Sequence, residues 1–103
     1  MIEKNIFQDF IEDSVHAEML HIKSYLASLV VEVIAQQKWT QAKAAEELSI
    51  AQPRISEIKQ AKLEKFSVDF LLTILAKLGY RFEIGFTPKN LKKPIQVTLK
   101  QAK

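Results

Sequence analysis

The sequence predicts a mainly α domain of four to five helices that closes on a C-terminal two-stranded β element. Only two glycines and three prolines interrupt 103 residues, so few positions force a break in regular structure. Apolar residues recur at helical spacing as far as Gly79, which is the pattern of helices with one buried face. Beyond Gly79 apolar and polar residues alternate, the period of a strand.

At the front, residues 5–13 read as an irregular or one-turn helical lead-in, with Ile6, Phe7, Phe10 and Ile11 available to dock. A long helix is expected from about Val15 to Gln37, capped by Asp13 or Ser14. Its apolar stripe comprises Met19, Ile22, Leu26, Leu29, Val30, Val33 and Ile34. Thr40 is placed to cap a second helix ending at Leu48, with Ala42, Ala44, Ala45 and Leu48 as small inward groups. Ser49 and Ile50 make a turn into a third helix over about Gln52–Gln60. Pro53 is tolerated there because a first-turn N–H has no intrahelical acceptor. Ile55 and Ile58 face inward.

Ser67 caps a fourth helix running to Leu78, with Phe66 and Leu71 forming a hydrophobic staple around its start. Leu72, Ile74, Leu75 and Leu78 supply its core face, and Gly79 provides the left-handed residue that stops it. Tyr80, Phe82, Ile84 and Phe86 then alternate with polar or small residues, as do Ile95, Val97 and Leu99 after the turn-rich TPKNLKKP segment. The simplest arrangement is one hairpin, which needs a partner for its apolar face and open edges. A single domain is expected, with a lead-in over 1–14, a helical core over 15–79 and strands over 80–103. One core of this size can fold but has little area to spare.

Charge is unevenly placed along the chain. The net charge is +3, yet residues 1–35 carry −4, residues 36–66 carry +2 and residues 67–103 carry +5. An acidic front and a basic back suggest two different partners, or one held by the back half. The absence of cysteine removes disulfide frameworks and thiolate zinc sites. His16 and His21 are poorly spaced for a shared metal ion. Trp39 and Tyr80 are expected to fill the core. Glu46 and Glu47 form no acid/base pair, because adjacent helical residues point apart. No nucleophile with a base and no phosphate-cradling loop is present, so the expectation is a non-enzyme without a cofactor. No signal peptide or membrane span is evident, and a cytoplasmic protein is expected.

Function concentrates in residues 40–62, TQAKAAEELSIAQPRISEIKQAK. Two short helices joined by a tight turn, the second polar on its outer face, are how a protein offers side chains to base edges in double-stranded DNA. Small residues are needed where the helices cross, and Ala44 and Ala45 meet that need. Gln52 suits bidentate pairing with adenine, and Arg54 suits guanine N7 and O6. Ser56 and Glu57 share the same surface. Gln41, beside Thr40, is placed to hold a phosphate with backbone N–H groups, and Lys43, Lys59 and Lys62 are candidates for sequence-blind phosphate contacts. Arg54 also has a structural reading, as an ion-pair partner within its own helix.

These residues resemble the Cro/C1-type (XRE) helix-turn-helix family, and more narrowly its HigA-like antitoxin branch. The resemblance spans roughly Asn5 to Phe86. It rests on T-Q-x-x-A-A-x-x-L, I-x-Q-P-R-[IV]-S and K-L-x-x-F-S-x-[DE]-x-L, closing on L-G and a strand. The resemblance implies a homodimeric repressor of its own operon, acting on a palindromic operator, whose partner is a small RNase toxin. The acidic front would then meet a basic toxin. Ser49, Ala51 and Ala61 stand where the family usually has Gly, a capping Ser or Thr, and Gly. Two alternatives remain open from the residues: a free-standing or phage-type repressor without a toxin, and an interaction module that binds no DNA.

Overall fold

The computed structural model describes residues 6–101, and for residues 6–11 the backbone alone. The docking expected of Ile6, Phe7, Phe10 and Ile11 therefore lies outside the described residues. Helix α1 spans Ile6–Gln36, α2 Gln41–Leu48, α3 Gln52–Lys59 and α4 Val68–Lys77, with a single 3-10 turn at Leu63–Lys65 before α4. Strands β1 (Tyr80–Phe86) and β2 (Ile95–Gln101) pair antiparallel. The mainly helical fold with a C-terminal two-stranded sheet is the one the sequence predicts.

One boundary differs. The lead-in is not a separate element: α1 is a continuous helix of 31 residues, and Asp13 and Ser14 lie inside it rather than capping it. Between Ile6 and Gln36 there is neither Gly nor Pro, so nothing interrupts propagation, and a cap-competent residue is not a cap unless the backbone before it leaves the helix. The other starts hold. The Thr40 and Ser67 hydroxyls accept hydrogen bonds from the N–H groups of Lys43 and Phe70, at 3.1 Å each, satisfying first-turn donors of α2 and α4.

The helix ends use left-handed residues. Gly79 has φ 95°, but Lys38, Ser49 and Ala61 occupy the same region with φ of 60°, 55° and 56°. At α2 the N–H of Ile50 bonds to the Ala45 carbonyl, and at α3 the N–H of Lys62 bonds to that of Glu57, both at 3.0 Å. These six-to-one closures tie off carbonyls that the helices leave unpaired. Lys77 adds a third device, its Nζ donating to the Leu48 carbonyl at 2.8 Å, where a cation suits the negative end of α2.

The core lies where α1, α3 and α4 meet. Val30, Ala44, Leu71 and Leu75 are fully buried, with Leu48, Ile55, Ile58 and Ile74 almost so. Phe66 and Leu71, the expected staple, both belong to this cluster. Ala42 does not turn inward as expected but is exposed, and Ala45 is half-buried. Met19 and Ile22, expected in the buried stripe of α1, are exposed, although α1 still runs beside the start of α4 there, with Met19, Lys23, Ser67 and Val68 bordering one groove. Trp39, Tyr80, Phe82 and Leu99 pack against the core from outside. No described helix is long and apolar enough to cross a membrane.

Candidate nucleic-acid interface

The α2–turn–α3 unit is built from the residues that the sequence singles out. Ala44 is completely buried, so α2 and α3 approach with no side chain holding them apart. Leu48 from α2 and Ile55 and Ile58 from α3 bury the shared apolar surface. Ser49, with φ 55° and ψ 45°, reverses the chain in the space a glycine would ordinarily fill. Ala51 precedes α3 without any side-chain cap, and Pro53 sits in the first turn.

With Ile55 and Ile58 directed inward, α3 offers its other side to solvent. Gln52 is exposed at the first helical position, and Ser56 and Glu57 are half-buried one turn further on. The Ser56 hydroxyl accepts a hydrogen bond from Gln60 Nε2 at 3.0 Å. This leaves the hydroxyl hydrogen free to donate to an acceptor outside the protein.

Arg54 is engaged by the protein itself. Its Nη1 donates to the Lys65 carbonyl at 2.8 Å, and its guanidinium carbon lies 4.3 Å from the centroid of the Phe70 ring. Neither of the described ion pairs, Lys43–Glu47 and Lys100–Glu83, involves it, so the alternative of an ion pair within its own helix does not form among the described residues. The side chain ties the start of α3 to the approach of α4, combining a charge-assisted hydrogen bond with a cation–π contact. Only one of its five N–H groups is committed to Lys65.

The phosphate candidates fall into two groups. Gln41, at the start of α2, and Lys59, at the end of α3, line one shallow apolar-floored cavity of about 220 Å³ beside Trp39 and Thr40. Residues separated in sequence thus converge on one edge of the unit. Lys43 stands apart from them, bonded to Glu47 at 2.9 Å one helical turn away. The Glu47 carboxylate, hydrogen-bonding and attracting the ammonium, raises the Lys43 pKa. Lys43 therefore exchanges one anionic partner for another if it meets a phosphate. Lys62 is exposed just beyond α3.

Four basic side chains among the described residues serve carbonyl oxygens instead, Arg81 among them through the Tyr80 carbonyl at 2.9 Å. Besides Arg54 and Lys77, Lys23 donates from α1 to the Leu63 carbonyl at 3.0 Å. Sequence reasoning missed these roles. For Lys77 a signal existed, since the last carbonyls of α2 needed donors; for Lys23 and Arg54 none did, because their partners lie in a turn whose position depends on tertiary packing.

A family model described as a helix-turn-helix domain matches residues 6–86. No curated protein and no solved structure matches the chain.

Proposed function

Because the chain belongs to the helix-turn-helix domain family, a family of DNA-binding domains, we propose that it is a homodimeric, sequence-specific repressor. The observation that carries this reading is the α2–turn–α3 unit: Ala44 buried at the crossing, Ile55 and Ile58 turned inward, and Gln52 left exposed at the start of α3. In a dimer, one α3 per subunit enters successive major grooves about 34 Å apart on a pseudo-palindromic operator.

Gln52 reads a base edge, with Ser56 and Glu57 alongside. Arg54 fixes the position of α3 and offers its uncommitted N–H groups to a guanine or a phosphate. Thr40 and Gln41 hold a phosphate at the start of α2, where first-turn N–H groups have no intrahelical partner. Lys43, Lys59 and Lys62 supply sequence-blind attraction.

The resemblance to HigA-like antitoxins supports a finer reading, in which the protein neutralises a small RNase toxin and represses the operon encoding both. The acidic residues 1–13 are then the segment offered to a basic toxin. Deleting 1–13 from a chain co-expressed with that toxin abolishes neutralisation on this reading, whereas retained neutralisation places the toxin elsewhere.

Fluorescence anisotropy on the DNA upstream of the protein's own reading frame, against a scrambled duplex of equal length, tests the repressor reading. A preference of at least about 10³-fold is expected, with affinity falling steeply as salt rises. Equal affinity for the two duplexes, or no complex even at low salt, overturns it and leaves an interaction module.

A further inference from the structure

Among the described residues, two apolar surfaces of this fold have nothing packed on them. The first is the outer part of the hairpin. The register pairs Ile84 with Val97 and Phe86 with Ile95, so these four side chains share one face with Tyr80, Phe82 and Leu99. Tyr80, Phe82 and Leu99 pack on the core, whereas Ile84 and Phe86 are 74% and 69% exposed, and Ile95 and Val97 are similarly bare. The second surface is the first half of α1, where Val15, Met19, Ile22 and Tyr25 are exposed. Tyr25 and Val97 line the same groove, of about 440 Å³, so the two surfaces are continuous.

We propose that these surfaces cover each other between two copies of the chain, the first half of α1 from one protomer lying on the outer hairpin face of its partner, and the reverse. The proposal names the contact surface of the dimer in the reading above and rests on that reading.

Three observations select a second copy as the occupant. The charges are complementary: residues 12–25 of α1 carry Glu12, Asp13 and Glu18 against Lys23, and Lys23 is held by the Leu63 carbonyl. The turn that closes the hairpin, beside Phe86 and Ile95, carries Lys89, Lys92 and Lys93 and no acidic residue. An acidic apolar helix and a basic apolar hairpin on one chain give the self-complementarity that an isologous two-fold interface requires.

The area is also sufficient. Eight exposed apolar residues at roughly 100 Å² each, below the 150–250 Å² of a fully buried aromatic, come to about 800 Å², the area per partner of a stable interface. Soluble monomers rarely expose a contiguous apolar patch above about 600 Å². Finally, the chain is extended: its radius of gyration is 17.1 Å, against about 13 Å for a compact chain of this length. The two arms that would interlock are the ones left uncovered.

Because the chain has no cysteine, introduced thiols report the contact directly. Ile22→Cys and Ile84→Cys variants, mixed under oxidising conditions, are expected to yield a disulfide-linked dimer in far higher amount than either variant alone. Light scattering is expected to give twice 11.8 kDa for the native chain, and one chain mass for an Ile84→Glu/Val97→Glu variant of unchanged helical circular dichroism. A native dimer that neither cross-links between positions 22 and 84 nor dissociates with the Glu variant overturns the proposed surface while sparing the dimer. A native chain of single mass at high concentration overturns both, and leaves the face to a different protein.

Discussion

Replacing Ser49 and Ala61 together by glycine is expected to raise stability. Both residues are held at left-handed φ, 55° and 56°, where an L-residue costs about 1–2 kcal/mol. Glycine removes that cost but loosens the unfolded chain, giving back about 0.4–1 kcal/mol per site. A net gain of about 0.5–1 kcal/mol at each position remains. The two residues close different helices with different carbonyls, those of Ala45 and Glu46 and those of Glu57 and Ile58. Their gains should therefore add, to about 1–2 kcal/mol. For a domain of this size 1 kcal/mol moves Tm by about 4–8 °C, so thermal unfolding followed by circular dichroism should shift upward by roughly 4–15 °C. Protein concentration must be fixed, since a dimer's Tm depends on it. An unchanged or lower Tm in the double variant refutes the claim that these turns are strained.

Arg54→Ala should destabilise the protein by about 1–2.5 kcal/mol in urea unfolding, since it removes an exposed hydrogen bond to the Lys65 carbonyl and the contact with Phe70; a variant as stable as the native chain would return Arg54 to a purely DNA-facing role. Thr40→Ala and Ser67→Ala each delete a cap seen at 3.1 Å and should cost about 1 kcal/mol, again read by urea unfolding. Lys43→Ala should reduce the slope of log affinity against log salt by about one, because the native ammonium leaves Glu47 for a phosphate; an unchanged slope removes Lys43 from the interface.

Local punctuation was the most legible part of the sequence. Thr40, Ser67 and Gly79 act at the helix ends where their chemistry places them, and the change of period at Tyr80 marks the hairpin to within a residue or two. Ala44, Leu48, Ser49, Ile55 and Ile58 of the α2–turn–α3 unit were equally readable, because the need for small groups at the crossing and a special turn conformation falls on few positions, whereas Ala42 was expected inward and is exposed. The start of α1 was not, since Asp13 and Ser14 fit a cap and a helix interior alike, and only the backbone before them decides.

The roles of Arg54 and Lys23 were hidden for another reason. Each serves a carbonyl in the turn at Leu63–Lys65, 11 and 40 residues away, a proximity that no local spacing encodes. Met19 and Ile22 show a further limit. Their spacing continues the stripe that Leu26, Val30 and Val33 bury, but periodicity does not say how far along the helix the cover extends.

The claim on which the rest depends is that α3 reads DNA through its exposed first turn, and the most direct measurement compares Gln52→Ala with the native chain on operator and on scrambled DNA. Loss of about 1–3 kcal/mol on the operator, relaxed preference at one symmetry-related base pair and unchanged affinity for the scrambled duplex are the predicted results. An equal loss on both duplexes, or none on either, would contradict the account.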